Sequence, residues 1–356
     1  MNIYGRNIRV EIFGESHGKG VGAVIDGLPA GVEIDREYID FFMARRRADG
    51  NLTTLRAEDD TYEIMSGVYK GYTTGAPLAV FIANKKNKSE DYSERVIIPR
   101  PSHADYTAHI KYDGYADMRG GGHFSGRLTA PLVFIGAVIT KILSSMGITI
   151  GSHFLKVGDI SDDALDKTAV SKELLESLSG MRIPCINNGV SDIIREIISD
   201  AMNKGDSVGA IIETAAIGLP GGIGSPFFNS VESELSSIIF SIPAIKGVEF
   251  GAGFNFSQMY GSEANDEFKM TDGKVVTKTN NNGGILGGIT TGMPLIMRCA
   301  VKPTASIYKE QNSVNLTTKE NVKLSIHGRH DPCVAVRALP VIDAVTAIAL
   351  YDLIKD

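Results

Sequence analysis

The segment VGAVIDGLPAG, Val21 to Gly31, is echoed by VGAIIETAAIGLPGG, Val208 to Gly222, with four extra residues in the middle. Two more pairs follow in the same order. TTGAPLAVFIA from Thr73 returns as TTGMPLIMRCA from Thr290, and SGRLTAPLVFIGAVITKIL from Ser125 as AVRALPVIDAVTAIALYDLI from Ala335. Three matches in one order point to a degenerate duplication, with halves of roughly 1–145 and 205–356 joined by a more polar stretch. The period is far too long for a solenoid. Two similar halves, each with one apolar face, bury those faces by packing on each other, which predicts an approximate two-fold axis. Within the halves, Arg9–Phe13, Val21–Ile25 and Leu78–Ala83 read as short strands ended or entered by glycine turns. Asp35–Arg47 reads as an amphipathic helix with an aspartate N-cap. Ala130–Met146 and Ile342–Ile354 have helical length and are apolar on more than one face, as helices covered on both sides are. No Ser- or Pro-rich linker divides the chain. The expected fold is therefore α/β (mixed α+β), one compact domain built as a β-α-β sandwich with apolar helices between the sheets.

Composition narrows the function. The formal charge is −6, so a nucleic-acid partner gains no support from bulk charge. Glycine is abundant at 39 residues and often clustered, as backbone that turns sharply or approaches a ligand requires. Cys185, Cys299 and Cys333 are too few and too scattered for a disulfide framework or a zinc site. The start MNIYGRNIRV has no apolar leader, and the most apolar stretch, Pro131–Ile150, is broken by Lys141, Ser144 and Ser145. These features predict a soluble cytoplasmic protein with no membrane partner and no metal.

Four segments concentrate chemistry. GESHGKGVG, Gly14–Gly22, puts Ser16 and His17 on a glycine-flanked loop between strands, and histidine titrates near neutral pH without help. Arg45-Arg46-Arg47 ends the helix from Asp35; guanidinium groups recognise phosphate and carboxylate, though only one or two of three consecutive residues can face inward. Pro101–Arg127 carries His103, Arg119, the Gly120-Gly121-Gly122 turn, Ser125 and Arg127 ahead of a helix, a setting in which backbone N–H groups can hold phosphate oxygens. His327–Arg337 packs Arg329, His330, Asp331 and Arg337 before the second apolar helix. If the halves are related by symmetry, the last two segments face one cleft. The expected ligand is small and multiply anionic.

Together, GESHG with Asp26-Gly27-Leu28-Pro29, HADYT, RGGG-x-x-S-x-R and RHDPC with Arg337 resemble the chorismate synthase family. SIPAIKGVEFG, NNGGILGG and KPTAS do so as well, and the resemblance runs from about Gly5 to the C-terminus. It implies a lyase that converts 5-enolpyruvylshikimate 3-phosphate to chorismate and phosphate by 1,4-elimination. Reduced FMN is required and not consumed, and NADPH enters only as a flavin reductant. It implies catalytic roles for His17 (departing phosphate), His103 (protonation of the reduced flavin) and Asp331 (removal of the C6 hydrogen, with the flavin). Ser16, Arg45, Arg46, Arg119, Arg127 and Arg337 are the expected substrate contacts. Arg46, His123, Phe124, Ser125, Pro243, Ala244, Gly287, Lys302, Pro303, Thr304, Ala305, Ser306 and Arg329 are the expected cofactor contacts. The expected assembly is a homotetramer, supplied where necessary by a separate flavin reductase. Two positions depart from the family pattern. His123 stands where arginine is common, and Leu52 where a second arginine tied to NADPH contact is common. No dinucleotide-type glycine turn accompanies the flavin expectation. Read from residue types alone, an Arg/His phosphotransferase or phosphatase and a non-catalytic flavin- or nucleotide-binding module remain open. The first would need Mg²⁺; the second would not need His17, His103 and Asp331 together.

Overall fold

A computed structural model describes residues 2–48, 52–53, 60–85, 97–326 and 330–356. In chain order the first part contains strands β1 (Ile3–Tyr4), β2 (Arg9–Gly14) and β3 (Gly20–Asp26), helix α1 (Arg36–Arg46), strands β4 (Tyr62–Ser66) and β5 (Leu78–Ala83), and helices α2 (Asp105–Tyr112) and α3 (Thr129–Ser145). The second part contains β6 (Thr149–Val157), β7 (Ile160–Ser161), α4 (Lys172–Ser179), α5 (Asn188–Asn203), β8 (Ala210–Ile217), α6 (Val231–Ile239), β9 (Ile245–Phe250), β10 (Leu295–Val301) and α7 (Ala335–Ile354). Two antiparallel five-stranded sheets result, in the orders β1-β2-β3-β5-β4 and β7-β6-β8-β10-β9.

The two sheets match in register. Ile25 stands between Val10 and Leu78 in the first; Ala216 stands between Ile150 and Leu295 in the second. The turns beside them repeat in atomic detail. Thr73 Oγ1 donates to the Pro29 carbonyl at 2.6 Å and accepts the Val32 N–H at 2.9 Å. Thr290 Oγ1 donates to the Pro220 carbonyl at 2.7 Å and accepts the Ile223 N–H at 3.0 Å. Gly27 and Gly218 occupy the same corner with φ of 91° and 79°, where a side chain would meet a neighbouring carbonyl.

This register corrects two details of the sequence reading. Val21 lies opposite Ile82, and Ile212 lies opposite Cys299, the counterpart of Ile82. Val21 therefore corresponds to Ile212 rather than Val208, and the four extra residues, 208–211, run into the start of β8 instead of lying inside the matched stretch. β6 takes the place in the second sheet that β2 takes in the first, so the matching set of strands starts at residue 149, ahead of the half expected from about residue 205. The polar middle section, with α4 and α5, is an insertion between β6 and β8. It is tied down by buried Asp162, which accepts the Ile186 and Asn187 N–H groups at 2.6 and 3.0 Å.

Helices fill the space between the sheets. α3 packs on β3, β5 and α7, while α7 packs on β6, β8 and α6. The stretch 126–145 is long and apolar enough to cross a membrane by composition, yet most of it is buried here as a core helix. α7 starts seven residues earlier than its apolar pattern suggests and runs through Pro340. Cys185, Cys299 and Cys333 are buried free thiols, and burial pushes each up to about 12.

The α3–α7 crossing is close because Gly136 lacks a side chain: a Cβ there would lie 2.3 Å from Ala344 Cβ and 2.9 Å from the Ala344 carbonyl oxygen. Gly136→Ala should therefore cost about 1–3 kcal/mol of stability, the usual penalty for overpacking. Urea unfolding measures it, and Ala344→Gly in the same chain should recover part of the loss. No loss would mean that the crossing has slack.

Candidate active site

Three arginines gather where the two copies meet. Arg46, in the last turn of α1, is the member of its run that helical spacing turns inward, and it is 1% exposed. Its Nε donates to Thr129 Oγ1, its Nη2 to the Gly126 carbonyl and its Nη1 to Asp60 Oδ2, each at 2.9 Å. Arg127, in the turn leading into α3, bonds the other oxygen of Asp60 and reaches Asn84 Oδ1 at 3.2 Å. Asp60 is fully buried, so one carboxylate holds together two guanidinium groups that would otherwise repel. Arg337, in the first turn of α7, donates to the Arg46 carbonyl at 3.1 Å and to Asp331 Oδ2 at 3.2 Å.

Above them stands a glycine partition. Gly120, Gly121 and Gly122 have φ of 62°, 91° and 53°. A Cβ on Gly120 would fall 2.0 Å from His17 Cε1, and one on Gly121 would fall 3.4 Å from His103 Cε1. The absent side chains thus let a histidine approach the turn at each of these two glycines. The loop carrying Ser16 and His17 is tied to the turn by the Ser16 N–H donating to the Gly122 carbonyl at 3.1 Å. Asn84 Nδ2 braces it by donating to the Glu15 and Gly18 carbonyls at 3.0 Å.

His103 leans on a buried ion pair. Arg100 grips Asp105 through Nε and Nη2, both at 2.7 Å. His103 Nδ1 lies 3.1 Å from Arg100 Nη2 and 3.2 Å from Asp105 Oδ1. Burial alone would raise the Asp105 carboxyl, but hydrogen bonds from Arg100 and His103 overrule it and hold it well below the usual carboxylate range. Lys302 Nζ donates to the Ser102 carbonyl at 2.6 Å, and its ammonium is pushed down by burial and by nearby Lys246.

These groups open into one cavity of about 1250 Å³. Its lining includes six Lys and Arg side chains (Arg46, Arg100, Arg127, Lys246, Lys302, Arg337), set against the lining carboxylate Asp331 and the buried partners Asp60 and Asp105 behind them, so cations outnumber carboxylates six to three. That imbalance suits a ligand with several negative charges. A second wall is formed by Pro243–Ala244 and Lys302–Ser306, joined by the Lys302 N–H donating to the Ala244 carbonyl at 2.9 Å.

The chorismate synthase family model matches residues 8–354. The chain belongs to the chorismate synthase family. It is 47% identical to the chorismate synthase of Pyrococcus abyssi over 348 residues, 98% of this chain and 96% of that one. It is 44% identical to that of Methanocaldococcus jannaschii over 364 residues, 99% and 96% of the two chains. A chorismate synthase crystal structure superposes with a TM-score of 0.76 at 31% identity, covering 98% of this chain and 92% of its own.

Most residues that the family resemblance singled out come together. Ser16, Arg46, His103, Arg127, Asp331 and Arg337 line the cavity, as do His123, Phe124, Ser125, Pro243, Ala244 and Lys302, Pro303, Thr304, Ala305 and Ser306. His17 stands one layer back, behind Gly120. His123 is fixed at the rim, where its Nδ1 donates to the Gly14 carbonyl at 2.8 Å.

Three expected contacts lie elsewhere. Arg45 turns to the opposite side of α1 and pairs with buried Asp343 at 2.6 Å, because its neighbour takes the inward position. Arg119 is spent on Asp117 at 2.7 Å and points to solvent. Gly287 sits exposed on the hairpin of residues 285–290, away from the cavity lining. Arg329 lies outside the described residues.

Asp60, Asn84 and Arg100 escaped the sequence reading, and Asp105 and Lys246 stood inside HADYT and SIPAIKGVEFG without being singled out. Arg100 sits one residue before the histidine-rich segment, and its spacing from Asp105 was the only available signal. Asp60 closes an Asp/Glu run that reads as a solvated surface.

Proposed function

We infer that this chain catalyses the reaction for which its family is named. It is a carbon–oxygen lyase that converts 5-enolpyruvylshikimate 3-phosphate to chorismate and phosphate, in the shikimate route to aromatic amino acids. The observation that carries the reading is the arginine floor beneath two histidines at one glycine turn. The substrate bears one phosphate and two carboxylates, and Arg46, Arg127 and Arg337 offer matching charge. His17 protonates the departing phosphate, whose charge builds as the C–O bond breaks. His103 carries its proton on the cavity side, and Asp331, beside Arg337, assists removal of the C6 hydrogen.

The second wall suits a flavin. Thr304 Oγ1 is buried in that wall without a hydrogen-bond partner among the described residues, an orphan that a polar ligand atom would satisfy. His123–Ser125, Pro243–Ala244 and Lys302–Ser306 would hold FMN. Reduced FMN, when bound, supplies electron density transiently and is not consumed overall.

Leu52 is buried in the apolar core and presents no cation for NADPH, so reduced flavin comes from a separate reductase. Exposed Phe227 and Phe228, at 84% and 89%, would be covered in a homotetramer. The enzyme works in the cytoplasm.

The test is an anaerobic assay of phosphate and chorismate with photoreduced FMN. Many turnovers per flavin, and none without it, are expected. Flavin oxidised one-for-one with product would overturn the redox-neutral reading, and turnover without flavin would overturn the cofactor. Phosphate release from the same substrate without chorismate, dependent on Mg²⁺, would favour a phosphatase.

A further inference from the structure

We propose that Arg100 and Asp105 are positioning residues for His103, an opposed pair that fixes the ring's Nδ1 edge and leaves Nε2 as the nitrogen that exchanges a proton in the cavity. This rests on the reading of His103 as a proton-carrying group. Asp105 opens α2, where a carboxylate is favoured by the helix dipole, and its Oδ2 also accepts the Arg100 backbone N–H at 3.0 Å. The His103 N–H donates to the Arg100 carbonyl at 3.2 Å, so ring and guanidinium are closed into one turn, with Ser102 at φ 58° on its corner.

Both partners lie within reach of one ring nitrogen, from which Arg100 Nη2 is 3.1 Å and Asp105 Oδ1 3.2 Å. Nδ1 carrying a proton donates to Asp105; without one, it accepts from Arg100. That edge is therefore satisfied in either state, and the opposite edge faces Gly121 and the cavity. An ion pair that served only to staple the start of α2 would have no need to touch the ring. Among the described residues, the charged groups placed around His103 are Arg100 and Asp105 on its own loop and Lys302, which donates to the Ser102 carbonyl; His17 lies on the far side of the glycine turn.

Because the pair is opposed, removing either member unbalances the ring in a different direction. Asp105→Asn leaves the guanidinium uncompensated and disfavours imidazolium; Arg100→Gln leaves the carboxylate and favours it. In the full-length enzyme with photoreduced FMN, each variant should lose about 10–100-fold in kcat, with the substrate KM changed less than about threefold. The alkaline fall of kcat should move to lower pH in Asp105→Asn and to higher pH in Arg100→Gln. Both displacements should vanish when His103→Ala is added. Displacements of the same sign, no displacement, or an effect on KM alone would overturn the proposal. Should Asp105→Asn not fold, the sign in Arg100→Gln decides it. A His103→Ala enzyme with native turnover would instead remove the reading of His103 itself, an outcome separate from failure of the pair.

Discussion

Replacing His17 or His103 by alanine lowers turnover by about 10²–10⁴-fold, the scale of lost acid–base catalysis, while the fold persists. Neither ring belongs to the apolar core between the sheets. His17 sits on the β2–β3 loop and His103 just before α2, and each abuts a glycine with no side chain to pack against. Deleting an imidazole therefore opens space at the cavity for His103 and behind the glycine turn for His17, and leaves the two ladders intact. The check pairs single-turnover rates at saturating flavin and substrate with urea unfolding. Near-native turnover in either variant would remove its assigned role, and loss of folding would make that histidine structural. The geometry at Gly120 offers a companion test: Gly120→Ala would drive a methyl into the His17 ring without touching its chemistry. A rate loss approaching that of His17→Ala would show that the ring's position matters as much as its proton.

Asp60→Ala costs about 3–5 kcal/mol of stability, because it leaves two buried guanidinium groups facing one another without their shared anion. Few single changes away from the helix core should do more damage. The two ion pairs are nearly or fully buried, with Arg46 at 1%, Arg127 at 6% and Asp60 at 0% side-chain exposure, so water screens them little. Denaturant unfolding reads the loss. A double-mutant cycle with Arg46→Met separates the pair from the rest: the combined variant should lose clearly less than the sum of the single losses. Additive losses would mean that Asp60 acts through some other contact. Substrate binding should weaken as well, since the same carboxylate spaces the arginines of the floor.

The fold was legible where sequence pattern and packing demand coincide. β3 and β5 recur as β8 and β10 because a buried central strand, a Gly-Leu-Pro turn and a Thr-Gly-x-Pro entry constrain residue identity in both copies. β2 and β6 are also counterparts, but RVEIFG and TIGSHF share no visible identity. An edge-side strand needs only a tolerable face, and the α4–α5 insertion then carries β6 far from its partner β8 in sequence. The start of the second copy was hidden for that reason.

The site was legible where functional groups crowd together, as in Pro101–Arg127. It was not legible where a single acidic residue acts through burial. Asp105 has the appearance of a helix-start residue and Asp60 that of surface charge until the fold places a guanidinium on each. Among Arg45, Arg46 and Arg47, rotation along a helix made the choice, and the run itself contains no mark of it.

The buried thiols turn the folded enzyme into its own record of opening. Cys185 lies in the inserted segment, Cys299 in the second sheet and Cys333 just before α7, all sealed from solvent. An alkylating reagent added to the native protein therefore has no surface cysteine to consume it. Each adduct that forms is a timed report that one neighbourhood has come apart. Mass-mapped in order of appearance, three adducts would show whether the insertion peels away before the sheet it decorates, or whether both surrender together.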